Sequence, residues 1–129
     1  MDTVAQMLTI VRNGSSAKLE KVDMPSSKLR ENIAKILADN GFIRSFKIAK
    51  DSKQGIMRIY LKYDDAGVPA LSSLQKLSRP GKRMYVSSEK IPTVRSGTGM
   101  CVISTNKGLL TGQEAQKQNL GGELLCMVW

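Results

Sequence analysis

The stretch that decides the fold is Gly97–Trp129, GTGMCVISTNKGLLTGQEAQKQNLGGELLCMVW. It contains two apolar runs, Met100–Ile103 and Leu124–Trp129, and the first carries β-branched Val102 and Ile103 and is flanked by glycines, as a buried strand would be. Between them, Thr111 and Glu114 have the spacing of a capping box, in which each side chain satisfies a backbone amide of the first helical turn. The stretch therefore predicts a strand, a polar turn, a helix, a Gly-Gly turn and a final strand.

The polar turn is Ser104–Gly108, with the sequence STNKG. Its hydroxyls and carboxamide can donate to and accept from a base edge or a 2′-hydroxyl, and Lys107 can pair with a phosphate. The alternative is a solvated loop in which the serine and threonine hydroxyls bond to their own backbone. The residues of the turn alone leave both interpretations open.

The net charge is +9 for 129 residues, from 20 basic and 11 acidic side chains. A charge of this size indicates a polyanionic partner, either a nucleic acid or an anionic membrane. The sequence has no run of about eighteen apolar residues, which argues against a membrane span. Histidine is absent, so imidazole catalysis and histidine-bound metal are excluded.

The two cysteines, Cys101 and Cys126, lie in apolar strand patterns far apart in sequence. They predict two buried free thiols in a reducing cytosol, with a disulfide between neighbouring strands as the alternative. An enzyme is a further alternative, since Asp64-Asp65 is an adjacent carboxylate pair, but turn chemistry explains that pair more simply. We therefore predict no enzyme activity, no cofactor, no metal and no small-molecule substrate.

The first helix is predicted from apolar residues at helical spacing, Val4, Met7, Leu8 and Val11. Thr3 and Gln6 have the spacing of a capping box, and Gly14 suits the helix end. The loose alternation of residues 18–24 then predicts a short strand.

A second helix is predicted after Pro25, with Ser26 or Ser27 as its N-cap and Asn40-Gly41 as its end. Its expected apolar stripe is Leu29, Ile33, Ile36 and Leu37. Lys28 and Arg30 lie off this stripe. They are expected on a solvated face, and the sign of their charge suits RNA.

Two strands follow, Phe42–Lys50 and Ile56–Tyr63, joined by a hairpin loop at Asp51–Gly55. The turn at Asp64–Gly67 predicts a domain boundary. The predicted fold class is therefore α+β in two small domains, with residues 1–66 forming helix-strand-helix-strand-strand and residues 67–129 mostly β with one short helix.

The second domain opens with a predicted strand, Ala70–Leu77, and a basic turn. Pro80-Gly81 is a turn signal flanked by cations, Lys76, Arg79, Lys82 and Arg83. These cations can line a phosphate groove or be solvated. Tyr85 ends the cluster, and residues 88–92 predict a short helical turn.

Three separated motifs, RPGKRMY at residues 79–85, ISTNKG at 103–108 and LGGELLC at 120–126, resemble the signature of the eighth protein of the bacterial small ribosomal subunit. The resemblance covers essentially the whole chain. It implies a structural protein that binds the central domain of the small-subunit rRNA and helps its assembly, in the cytoplasmic ribosome. It also implies neighbouring small-subunit proteins as partners, including the fifth. An mRNA-binding translational regulator using the same surface is the alternative, and a bacterial or an organelle gene stays open.

The resemblance implies an rRNA contact surface in the second domain. Its members are Ser104, Thr105, Asn106 and Lys107, expected against the minor groove of an irregular helix, with Gly122, Glu123, Tyr85, Lys82 and Arg83. Lys28 and Arg30 are expected to touch the RNA backbone. Two departures stand out. Asn106 replaces the usual serine, and the last helix carries Gly112, Gln113, Gln116 and Gln118 where charged residues are common, so few phosphate contacts are expected from it.

Overall fold

The computed structural model describes residues 3–50, 55–71, 73–78, 81–93 and 99–129. The chain divides into two compact units, Thr3–Ser72 and Ser73–Trp129. The described elements are, in order, α1 (Thr3–Ser16), β1 (Lys21–Pro25), α2 (Lys28–Asp39), β2 (Ile43–Ala49), β3 (Ile56–Leu61), β4 (Leu74–Lys76), β5 (Tyr85–Val86), a 3₁₀ turn (Ser88–Lys90), β6 (Met100–Thr105), β7 (Gly108–Thr111), α3 (Gly112–Lys117) and β8 (Gly122–Val128). The predicted α+β class is confirmed, with two helices and three strands in the first half and mostly strands with one short helix in the second.

The turn at Asp64–Gly67, where the sequence places the domain boundary, lies inside the first unit. Asp64 Oδ1 accepts hydrogen bonds from Ala66 N at 2.9 Å and Val68 N at 2.8 Å. This aspartate therefore stabilises its own turn, as turn chemistry predicts. A division of the chain into folding domains at residues 1–66 and 67–129 stays a prediction.

The first unit packs α1 and α2 on an antiparallel sheet with the strand order β1-β3-β2. Its most buried side chains come from both layers and include Met7, Val11, Ile33, Leu37, Met57 and Ile59. Ser27 is the N-cap of α2, and its side chain accepts from Arg30 N at 3.2 Å. Asn40 ends the helix, and Gly41 follows with a φ of +79°. The predicted start and end of this helix are thus confirmed.

The prediction that Gly14 ends α1 is wrong, because the helix continues to Ser16. A Cβ at Gly14 would lie 2.5 Å from Val22 Cγ1, so the glycine lets the helix approach β1 closely. The capping box of Thr3 and Gln6 stays a prediction, since the Thr3 side chain lies outside the described part of the chain; Gln6 Oε1 accepts from Arg30 Nη2 at 2.6 Å.

The buried face of α2 differs from the predicted stripe. Leu29 is 36% exposed, whereas Arg30 is only 3% exposed and Ala34 is fully buried. The hydrogen bonds of the Arg30 guanidinium offset the burial of its charge and let it occupy a core-facing position. The predicted hairpin is present, with β2 and β3 antiparallel, while residues 51–54 of its loop lie outside the described residues.

The second unit is a sheet in which β8 pairs with β4, β5 and β6, and β6 also pairs with β7. Its core cluster consists of Ile91, Cys101, Ile103, Ala115 and Leu124. Cys101 and Cys126 are both buried free thiols, as predicted, and the disulfide alternative is wrong.

The prediction that a helix follows the polar turn directly is wrong at Leu109 and Leu110. These residues belong to β7, so the polar turn joins two strands of a hairpin and does not lead directly into a helix. The helix α3 begins only at Gly112. Its capping box is formed in both directions by Thr111 and Glu114, which confirms that part of the prediction.

The remaining predictions for the second unit concern short elements. The strand predicted at residues 70–77 is limited to β4, and the helical turn predicted at residues 88–92 is the 3₁₀ turn. Arg79 and Pro80 of the basic turn lie outside the described residues. Within the described ranges, no helix has both the length and the apolar character needed to cross a membrane.

Candidate nucleic-acid interface

The polar turn is the tip of the β6–β7 hairpin. Thr105 pairs with Gly108, so Asn106 and Lys107 form the exposed loop. Gly108 has a φ of +99°, a conformation that glycine adopts without the strain a Cβ would introduce. Thr105 Oγ1 donates to Gly108 O at 2.8 Å and accepts from Lys107 N at 3.1 Å. The Thr105 hydroxyl therefore stabilises the turn itself, while Asn106 and Lys107 are presented to solvent.

The last strand links this hairpin to Tyr85. Glu123 of β8 pairs with Ser104 of β6 on one side and with Tyr85 of β5 on the other. Residues directly opposite each other in an antiparallel sheet place their side chains on the same face. Tyr85, Glu123 and Ser104 therefore form one row across three strands, roughly 10 Å wide at about 4.8 Å per strand spacing. The hairpin tip is two residues further along β6.

Tyr85 is the most exposed member of this row. Its side chain is 70% exposed, although it is a large aromatic residue in a strand. Met84 beside it is 41% exposed. An exposed aromatic ring next to polar groups and cations can stack on an unpaired base.

The two glycines before Glu123 are required by the close approach of the strands. A Cβ on Gly122 would overlap Ser104 O, and a Cβ on Gly121 would lie 2.5 Å from Val86 O. The backbone at these two glycines thus lies directly against the backbone of β5 and β6. These glycines bring Glu123 into register with both Ser104 and Tyr85.

The carboxylate of Glu123 is held by two side chains from the chain between β4 and β5. Ser78 Oγ donates to Glu123 Oε2, and Arg83 Nη1 donates to the same oxygen at 3.1 Å. The Glu123 side chain is only 18% exposed, while that of Arg83 is 51% exposed. The carboxylate therefore has fixed partners at one oxygen before any ligand arrives.

Ser78 is the site residue that the sequence did not reveal. It is fully buried, and its hydroxyl also accepts from Met84 N at 3.1 Å. A single serine next to a basic turn has no periodic or motif signal of its own. Its role becomes visible only when β8 brings Glu123 beside it.

The structure brings most of the predicted site together in the second unit. Lys82, Arg83 and Lys107 are exposed cations of that unit.

Lys28 and Arg30 belong to α2 in the first unit. Lys28 is exposed, but Arg30 is buried, and its guanidinium donates to Pro25 O at 2.7 Å and to Gln6 Oε1. Burial also lowers the pKa of Arg30. Contact of any of these residues with RNA stays a prediction.

The weakly charged helix α3 has a packing explanation at its first residue. A Cβ on Gly112 would lie 2.5 Å from Cys101 Sγ and 2.9 Å from Ile91 Cγ2. The core cluster thus occupies the space that a larger residue would need. Gln113, Gln116 and Gln118 are exposed and carry no charge, so Lys117 is the cation that α3 offers.

Known proteins match the whole chain. The family model of ribosomal protein S8 covers residues 2–129. The small ribosomal subunit protein uS8 of Bdellovibrio bacteriovorus is 63% identical over 129 residues, which is 100% of this chain and 100% of the relative. The uS8 proteins of Geobacter sulfurreducens and Clostridioides difficile are 48% and 47% identical over 128 residues, covering 99% of this chain and 97% of each relative. The chain belongs to the ribosomal protein S8 family, and this membership confirms the prediction that it is not an enzyme.

Proposed function

We propose that the chain is a structural component of the small ribosomal subunit that binds the central domain of the small-subunit rRNA directly and helps it to assemble. The observation that carries this proposal is the row Tyr85, Glu123 and Ser104 beside the exposed hairpin tip Asn106-Lys107. The row combines an exposed ring, a carboxylate and a hydroxyl with a cation nearby. This set of groups suits RNA, which is recognised through unstacked bases, base edges and 2′-hydroxyls.

The cations and the uncharged polar groups have different parts in this binding. Lys82, Arg83 and Lys107 supply affinity for phosphates through counterion release, which is independent of sequence and falls with salt. Ser104, Asn106 and the carboxylate of Glu123 supply discrimination, since a carboxylate accepts from a base amino group and a lysine cannot. An irregular rRNA helix, whose minor groove exposes base edges, is the target that matches both parts.

Three further assignments complete the proposal. The protein works in the ribosome of the cytoplasm, and its relatives are named as proteins of the small ribosomal subunit. Its partners are the small-subunit rRNA and neighbouring small-subunit proteins, including the fifth. Lys28 of the first unit contributes to binding of the RNA backbone through its exposed side chain, whereas the Arg30 guanidinium is buried and engaged by Pro25 O and Gln6 Oε1.

The test is a binding titration with two RNAs at two salt concentrations. One RNA is a central-domain hairpin with its irregular core, and the other has that core replaced by Watson–Crick pairs. We expect a preference of about 2 kcal/mol or more for the irregular core, the size of one or two good base-edge contacts. Equal binding with a steep salt dependence would reduce the proposal to a basic protein that binds any nucleic acid.

A matched pair of lysines locates the site. Lys107→Ala should weaken binding to the irregular hairpin, while Lys117→Ala, an exposed lysine of α3 in the same unit, should leave it nearly unchanged. An equal loss in both variants would contradict the proposed surface. An mRNA hairpin that competes with the rRNA for this site would support the second role, translational regulation, through the same residues.

A further inference from the structure

The chain is bound to β8 on both sides of the described cations Lys82 and Arg83. Before them, Leu77 N donates to Leu125 O at 3.0 Å, and after them, Leu124 N donates to Met84 O at 2.8 Å. The position of Lys82 and Arg83 therefore depends on how firmly the chain is held before and after them.

The Ser78 hydroxyl joins the chain before these cations to the chain after them. It donates to Glu123 Oε2 and accepts from Met84 N, so a single buried oxygen connects Ser78, Met84 and β8. Ser78 is fully buried, so water does not replace these bonds in the folded protein. Loss of a buried partner leaves the other polar group unsatisfied, which costs more than the bond itself contributes.

Because Ser78 fixes the Glu123 carboxylate, it also restricts the Arg83 side chain that binds the same carboxylate. Arg83 Nη1 donates to the oxygen that Ser78 also contacts, and among the described residues both bonds fall on Oε2. Glu123 itself pairs with Tyr85 and Ser104. A glutamate and an arginine that are already fixed lose less side-chain entropy on binding than free ones do.

We propose that Ser78 is a positioning residue for RNA binding, whose buried hydroxyl holds the Glu123 carboxylate and, through it, the Arg83 guanidinium in the geometry that the RNA meets. This inference rests on the proposed function of the same surface. Ser78 does not touch the RNA. It acts by removing, in the free protein, the alternative orientations of two side chains that do.

The experiment uses the full chain and the hairpin with the irregular core. Ser78→Ala should weaken binding about tenfold, the size expected from losing one hydrogen bond to a charged group. Ser87→Ala is the matched control, because Ser87 is exposed and its side chain makes no capping hydrogen bond. All affinities are measured well below the unfolding midpoint of each variant, so that only folded protein is compared.

A double-mutant cycle with Glu123→Ala separates positioning from a merely structural role. If Ser78 acts through Glu123, Ser78→Ala should have little further effect on affinity in the Glu123→Ala background, while its effect on thermal stability through the bond from Met84 N persists. The slope of log affinity against log salt should also become shallower by about one in Ser78→Ala, as for the loss of one phosphate contact. Additive losses of affinity in the two variants, or a Ser78→Ala affinity equal to that of Ser87→Ala, would overturn the inference.

A substitute variant and a separate measurement on the wild type ensure that every outcome either supports or refutes the inference. If Ser78→Ala does not fold, Ser78→Cys, which keeps a weaker donor of similar size, takes its place in the same cycle with the same criteria. The wild-type preference for the irregular over the regular hairpin reports on the proposed function separately. A wild type without that preference refutes the proposed function, whereas a wild type with it and an unaffected Ser78 variant refutes only the positioning.

Discussion

Gly122 lies against Ser104 so closely that a Cβ on the glycine would overlap the Ser104 carbonyl oxygen, and it would also lie 3.3 Å from Ile103 Cγ2. The obstacle is backbone, which cannot swing aside as a flexible side chain can. The Gly-Gly turn and the polar hairpin are therefore parts of one packed arrangement of β6 and β8. The register that places Glu123 beside Ser104 depends on this glycine.

Gly122→Ala should destabilise the protein by about 3 kcal/mol, at the upper end of the cost of overpacking, because a strand would have to shift. The free energy of unfolding in urea measures this loss. Gly81→Ala is the control, since no described atom lies within 4 Å of the Cβ position at Gly81, and it should change stability by less than about 0.5 kcal/mol. Similar effects of the two substitutions would show that β6 and β8 are not closely packed at Gly122.

The main features of the second unit could be predicted from its sequence because their signals are local. The capping box of Thr111 and Glu114 and the apolar strands are patterns of neighbouring residues. The strand β7 was missed because Leu109-Leu110 is too short an apolar run to distinguish a strand from the start of a helix. Only its pairing with β6 settles the matter, and that pairing is a tertiary contact.

Among the side chains of the candidate site, too, the sequence predicts those with local signals and not those whose partners are distant in sequence. Asn106 and Lys107 lie at a turn that the sequence marks clearly, and both are exposed as a contact residue must be. Ser78 and Arg30 have roles set by residues distant in sequence, Glu123 and Gln6 respectively. Spacing along the chain carries no information about such partners, so neither role could be predicted.

Arg30 and Lys28 should behave differently when each is replaced by alanine. Arg30→Ala should lower the free energy of unfolding by about 3 kcal/mol, because it removes hydrogen bonds made by a buried charged group and leaves a space in the core. Lys28→Ala, at the exposed first residue of α2, should change stability by less than about 0.5 kcal/mol. Urea unfolding of both variants gives the comparison.

For binding to the rRNA hairpin, in contrast to stability, Lys28→Ala should have the larger effect and Arg30→Ala the smaller. Lys28→Ala should make the salt dependence of affinity shallower, as expected for one lost phosphate contact. Arg30→Ala should leave that dependence unchanged while the protein is folded, since its guanidinium is already engaged by Pro25 and Gln6. A salt dependence altered by Arg30→Ala alone would mean that the guanidinium leaves these partners to meet the RNA.

Gly112 and Cys101 should be energetically coupled. Gly112→Ala places a methyl group against Cys101 Sγ and Ile91 Cγ2 and should cost about 1–3 kcal/mol of stability. Combining it with Cys101→Ala removes the nearer obstacle, so the double variant should be more stable than the sum of the single changes predicts. Purely additive losses would show that Ile91 alone limits the space at the start of α3.

Cys126 should make stability depend on alkaline pH. Burial, followed by the neighbouring Cys101, raises the pKa of the Cys126 thiol to about 12, above its ordinary value of about 8.5. The unfolded chain therefore loses this proton at lower pH than the folded protein does. The resulting contribution to stability is fully present below about pH 8.5 and is lost as the pH rises towards 12.

The slope of this loss identifies its source. Between pH 9 and pH 11, the unfolding free energy of the wild type should fall more steeply than that of Cys126→Ala, by up to about 1.4 kcal/mol per pH unit for one proton. The cavity left by the alanine lowers stability at every pH and so does not affect the difference in slope. Equal slopes in the two proteins would mean that Cys126 ionises as readily in the folded protein as in the unfolded chain, which its complete burial on β8 argues against.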